Sequence, residues 1–188
     1  MAYIKVIQHD EAAGRLKEIY DDLVAKRGKL AEVHKIQGLN PESIVNHMDL
    51  YMTIMFGKSP LKRYQREMMA VVVSVHNNCH YCQVHHGHAL NYFWKDMRKV
   101  ELLRNNFAKV QLSEVDRKLC QLAEDLTRRP GVDHQSKQIE SLKALGLDDR
   151  AILDATLVIA YFNFVNRMVL GLGIELEKEG RDNGYKFD

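Results

Sequence analysis

Proline is scarce in this chain, three residues in 188, and so is any convincing stretch of strand-like alternation. With few breakers, long segments rich in Leu, Ala, Lys, Glu and Met run on uninterrupted, and those residues favour helix. Cysteine is scarce as well. Three thiols, an odd number, argue against a disulfide framework and for reduced side chains. An excess of one charge is also missing: 27 Lys and Arg stand against 25 Asp and Glu, interspersed, for a net +2. That balance offers no basic face to nucleic acid and no polybasic patch to a membrane. The opening MAYIKVIQHDEAAG lacks a positive stretch followed by an apolar one, so no secretory signal is read, and the apolar runs are read as short of a membrane span. The expected location is the cytoplasm.

The length fits one domain with a real core, and the periodicity predicts an all-α fold. Ala13, Leu16, Ile19, Tyr20 and Leu23 follow helical spacing from Asp10 to Arg27, with Gly28 as the stop. Asn40 and Pro41 read as a helix start through Met55, and Ser59 and Pro60 repeat that signal before a helix that runs through AVVVSV. A segment so apolar on every side belongs in the centre. Asn77 and Asn78 break it, and a new helix is expected from about Cys79 towards Trp94. Asp96 caps a short helix to Asn105, and Ser113 with Asp116 opens another that carries Leu119, Leu122 and Leu126. A further helix is read from Asp133 to Leu145, and a last one from Asp148 or Asp149 through ILDATLVIAYFNFVNRMVLGLGIELE. The predicted organisation is a single domain: a helical arm over residues 1–38, a core over 40–180 and a polar tail over 181–188.

The stretch from Glu67 to His88, EMMAVVVSVHNNCHYCQVHHGH, concentrates the reactive groups, with two of the three cysteines and five of the nine histidines. Cys79 and Cys82 fall at a helix start, where unpaired backbone N–H groups and the macrodipole favour a thiolate. Their separation also lets the sulfurs join as a disulfide with little backbone movement. His86 lies four residues after Cys82, on the same helical face, placed to take a proton from a thiol and return it to a leaving oxygen. His85 points about 100° away around a helix of ~3.6 residues per turn. Glu67, on the preceding helix, would orient His86 if the two helices form a hairpin, and Tyr64 one turn earlier would add a hydrogen bond.

Other readings compete. Cys79, Cys82 and His86, with His76, His85 or His88, would supply zinc ligands, although one short helix makes a poor tetrahedral cage. Cys120 reads as a small core residue, and Met48, Met52, Met55, Met68 and Met69 as core filling. Asn163, Asn166 and Arg167 sit at helical spacing on an apolar helix, which suits buried hydrogen bonding or a subunit contact better than chemistry.

Glu67, eleven residues, Cys79-x-x-Cys82, three residues and His86 together resemble the signature of the AhpD-like alkylhydroperoxidases within the carboxymuconolactone decarboxylase family. NNCHYCQVHH is similar to the peroxidase-related branch in particular. The likeness runs from about Asn40 to about Glu177. It implies an AhpD-like multi-helix bundle whose central hairpin carries the CxxC motif, assembled as a trimer or hexamer. It further implies reduction of hydroperoxides by the cysteine pair, with Cys82 attacking, Cys79 resolving, and Glu67 and His86 relaying protons. His85, His80, Tyr81 and Tyr64 would be supporting positions. Tyr81 departs from the pattern, since some members have histidine just before the second cysteine, and His80 stands beside Cys79 instead. No metal or organic cofactor is needed, and an external dithiol or thioredoxin-like reductant would restore the thiols. Three alternatives remain at this stage: a disulfide reductase or redox sensor using the same pair, a cofactor-free lactone decarboxylase-like enzyme, and a zinc-stapled helical module without activity.

Overall fold

A computed structural model of the chain describes residues 2–131 and 135–177. Among them, every regular element is helical. In chain order these are α1 (Gly14–Arg27), α2 (Glu32–Lys35), α3 (Pro41–Tyr51), a π-helical turn (Met52–Phe56), α4 (Arg63–His76) and α5 (His80–Trp94). Then follow α6 (Met97–Asn106), a 3₁₀ turn (Phe107–Lys109), α7 (Glu114–Arg128), α8 (Gln135–Ala144) and α9 (Asp149–Leu172). The predicted start of a helix at Asp133 and the predicted polar tail over 181–188 lie outside the described residues.

The chain forms two compact units, Thr53–Arg167 and a second made of Met1–Met52 with Met168–Asp188. In the second unit, Leu16, Ile19, Tyr20 and Leu23 of α1 bury against Ile44 and Met48 of α3, the periodic face that the sequence displays. In the first, α4 is the axis. It is buried from Gln65 to Ser74 and packs on α5, α6 and α7, as its all-round apolar run requires.

The connector before α4 is fixed by arginine. Arg66, buried, donates to the backbone carbonyls of Ile54, Met55, Gly57 and Leu61 at 2.9–3.1 Å. It thereby satisfies carbonyls that the π-helical turn and the loop leave without helical partners. This arrangement displaces the helix start expected at Ser59 and Pro60. Ser59 Oγ accepts from Leu61 N at 3.1 Å, and α4 opens at Arg63, with Gln65 Oε1 accepting from Lys62 N at 2.8 Å.

Other boundaries also shift. The first helix begins at Gly14 rather than Asp10, because Glu11 closes a turn on Gln8. Asn40 precedes α3 without a side-chain cap, although Pro41 does take the first helical position. The last helix stops at Leu172 instead of continuing to Glu177. Gly173 takes a left-handed φ of +68°, and an added Cβ would sit 2.8 Å from the Tyr3 ring, so only glycine fits that stop. The capping expected of Asp96 and Ser113 is present, with acceptance from Lys99 N and Asp116 N.

One expectation needs correction on length and hydropathy. At 24 residues, with a mean hydropathy of 1.4 over its best window, α9 is long and apolar enough to cross a membrane. The buried polar side chains it carries have protein partners: Asp154 pairs with Arg150 at 2.8 Å, and Asn166 joins a network described below. Partnered polar groups of this kind are what a core helix carries.

Candidate active site

Between α4 and α5 the chain turns in three residues. Asn77 ends the helix, and Asn78 adopts a left-handed φ of +56°. Asn78 N then donates to Val75 O at 3.0 Å and Cys79 N to Ser74 O at 2.8 Å. These two bonds form a Schellman motif, with asparagine in the position usually given to glycine. The turn delivers Cys79 to the N-cap of α5 and Cys82 to its first turn, both buried.

Each thiol bears on the acidity of the other. The Cys82 thiol and backbone N–H both favour the Cys79 thiolate, which holds the Cys79 pKa below the ordinary thiol range despite burial. The donated bond and burial push Cys82 the other way, while a hydrogen bond from the Asn166 side chain lowers it. Ionisation of Cys79 is therefore favoured over ionisation of Cys82. Cys120, fully buried on α7, is pushed well up by desolvation and stands apart from the pair.

His86 lies on α5 one turn beyond Cys82. Its Nδ1 is 2.6 Å from Glu67 Oε2, which joins the two helices of the hairpin. A carboxylate accepts only, so this bond places the imidazole proton on Nδ1 and leaves Nε2 as the basic nitrogen. The ring packs edge-on against Phe162 of α9, 4.4 Å between centroids. Glu67 is 0% exposed and is compensated by Arg63, whose Nη1 donates to Oε1 at 2.8 Å. Arg63 is held in turn by Met55 O at 2.6 Å and lies over the Phe56 ring at 4.0 Å. A buried carboxylate needs such a countercharge to persist ionised.

The other sequence-predicted positions are less central. The Tyr64 hydroxyl donates to Asp116 Oδ2 at 3.1 Å rather than to Glu67; burial and that carboxylate raise its pKa to about 12. Tyr81 is buried and stacks on His85, 4.3 Å between ring centroids, while His80 is exposed at the first residue of α5. His76 faces Glu124 of α7 at 3.7 Å. Among the described residues no three or more His, Cys, Asp or Glu side chains come together as a metal-ligand set.

Three participants lay outside the sequence motif. Arg63 had a signal, since it stands four residues before Glu67, the spacing of a helical ion pair. Ser74 and Asn77 had none of that kind, because their partner Asn166 comes from α9, far along the chain.

No protein-family model and no curated protein matches the chain. Solved structures do. An uncharacterized peroxidase-related protein from Silicibacter sp. TM1040 is 28% identical over 98% of this chain and 99% of its own, with a TM-score of 0.83. A peroxidase-related protein with an alkylhydroperoxidase AhpD core, from Ralstonia eutropha JMP134, is 21% identical with a TM-score of 0.83, covering 95% of this chain and 93% of its own. The debrominase Bmp8 is 19% identical with a TM-score of 0.77, over 95% of this chain and 94% of its own. The all-helical scaffold is thus the AhpD-like fold. Within it, the chain's neighbours are peroxidase-related AhpD-like proteins, in agreement with the resemblance carried by Glu67, Cys79, Cys82 and His86.

Proposed function

We propose that the protein is a thiol-dependent peroxidase that reduces alkyl hydroperoxides through Cys79 and Cys82. The observation that carries this reading is the buried cysteine pair at the start of α5, one helical turn from an imidazole whose Nδ1 is fixed by a buried carboxylate. In the reaction, His86 Nε2 takes the Cys82 proton, directly or through a water, and the Cys82 thiolate attacks the distal oxygen of the peroxide. The O–O bond breaks, the alkoxide takes that proton back from His86 and leaves as an alcohol, and Cys82 becomes a sulfenic acid. The Cys79 thiol then gives its proton to His86 and displaces hydroxide from that sulfur, which leaves as water and closes the disulfide. Overall, one hydroperoxide and two thiols become an alcohol, water and a disulfide. An external dithiol or thioredoxin-like protein supplies the two electrons that reopen it. Glu67 stabilises the imidazolium that forms, and Arg63 supplies that carboxylate with its countercharge.

The lowered pKa of Cys79 favours a second order of events in which Cys79 attacks and Cys82 resolves. Trapping sulfenic acid in Cys79→Ser and Cys82→Ser separates the two, since only the variant that retains the attacking thiol is labelled by dimedone after peroxide. For the function itself, Cys82→Ser is expected to lose peroxide-dependent oxidation of a dithiol, while Cys120→Ser retains it. Full turnover in the Cys82 variant would sink the proposal. The same reading places the protein in the cytoplasm, where thiols are kept reduced. It also takes the protein to be a homo-oligomer, whose contact would cover the exposed Leu153, Leu157 and Phe164 side chains of α9.

A further inference from the structure

Asn166 is the one buried amide on α9, 0% exposed in the middle of an otherwise apolar face. Its orientation is fixed by its neighbours. The Ser74 hydroxyl spends its only hydrogen on Ala70 O at 2.7 Å, so Ser74 Oγ must accept from Asn166 Nδ2, at 3.2 Å. Asn166 Oδ1 then accepts from Asn77 Nδ2 at 3.1 Å, and the same Asn77 nitrogen donates to Asn163 Oδ1 at 3.0 Å. Both arms hold the turn that presents the cysteines. Ser74 O receives the Cys79 backbone N–H at 2.8 Å and Gln83 Nε2 at 3.1 Å, and Asn77 is the residue that ends α4. With one Nδ2 hydrogen on Ser74, the second remains for another acceptor, and Cys82 is the group whose acidity Asn166 raises.

We propose that Asn166 is a positioning residue of the thiol site: locked by Ser74 and Asn77, its amide donates to the Cys82 sulfur and decides how readily Cys82 carries negative charge. A hydrogen bond to a charged group inside a low-dielectric site favours the ionised form of that group and costs no reorganisation when the charge arrives. Cys79 is supported by the start of α5 and by its partner thiol. Cys82, in the first turn of the same helix, gains the α9 amide as an additional donor. The inference rests on the thiol reading above, but it concerns the acidity of one sulfur and does not depend on which oxidant meets it.

The test uses the full-length protein in two backgrounds. Cys79→Ser with Cys120→Ser leaves Cys82 alone, and Cys82→Ser with Cys120→Ser leaves Cys79 alone. The ultraviolet absorbance of the thiolate, followed against pH, gives the titration midpoint of each. Asn166→Ala is expected to raise the Cys82 midpoint by about one pH unit and to leave the Cys79 midpoint nearly unmoved. Asn166→Asp, close in shape and still an acceptor for Asn77, replaces the donor to Ser74 and Cys82 by a negative charge and is expected to raise the Cys82 midpoint further. It also keeps the test open if the alanine variant fails to fold. An unchanged Cys82 midpoint in the variants that fold, or an equal movement of both thiols, would overturn the assignment. Loss of peroxide turnover as a property of the unmodified protein would instead remove the peroxidase reading and leave this assignment standing.

Discussion

Glu67 shows how much a single buried charge demands of its neighbours. Its carboxylate meets Arg63 on one oxygen and His86 on the other, and none of its surface reaches solvent. Glu67→Gln keeps the shape but leaves the Arg63 cation with no carboxylate, and removing one partner of a buried pair costs about 3 kcal/mol. The rate should fall by roughly 10²-fold as well, because the imidazolium loses its countercharge. Adding Arg63→Met to that variant should recover part of the melting temperature and none of the rate. Recovery of both would assign the pair a purely structural role. Sequence spacing was enough to select Glu67, Cys79, Cys82 and His86. It could not select Asn166, whose partners Ser74 and Asn77 lie 92 and 89 positions away and come together only through helix packing. Tyr64 illustrates the opposite limit: helical periodicity put it on a plausible face, and a carboxylate from α7 claimed its hydroxyl.

The α4–α5 turn is the element on which the site depends. Asparagine tolerates the left-handed conformation, and glycine adopts it freely, whereas a β-branched residue is strained there. Asn78→Gly is therefore expected to change stability by no more than about 0.5 kcal/mol. Asn78→Val should cost about 1–2 kcal/mol, read from urea unfolding, and should slow disulfide formation by disturbing the Cys79 N-cap. Equal stability of the two variants would count against the motif. The order and type of helices were legible because the chain's periodicity is strong and its breakers are few. Boundaries were less so. At Ser59 and Pro60 a local start signal lost to Arg66, whose four backbone acceptors hold the preceding segment in a non-helical path. At Gly173 the stop is set by a tyrosine ring from the beginning of the chain, a contact that no local pattern encodes.

The stability of the protein as a whole should depend on pH through His47, in the unit that contains α1 and α3. His47 is buried, and desolvation lowers its pKa from 6.5 to about 4. Gln37 Nε2 contacts Nδ1 of the ring at 2.8 Å and Val33 O at 2.8 Å, so the amide nitrogen is the donor and Nδ1 must stay unprotonated. The His34 ring lies 5.9 Å away, edge-on. Because the folded state binds this proton less readily than the unfolded chain, stability is at its full value above pH 6.5 and declines as pH falls towards 4. The loss has an upper bound of about 3 kcal/mol. Calorimetry of His47→Gln across that window should show a shallower decline than the parent protein. A parallel decline would place the effect elsewhere.

Cys120 gives the protein an internal calibrant. Sealed in α7 and held protonated by burial, it stays outside the exchange proposed for Cys79 and Cys82. A chain that has completed one catalytic oxidation and is then unfolded should titrate a single thiol, and that thiol should map to position 120. The reduced chain should titrate all three. The ratio of those two readings reports the oxidised fraction of any preparation without knowledge of its concentration, and labelling at position 120 in the folded protein would reveal damage before any assay of activity.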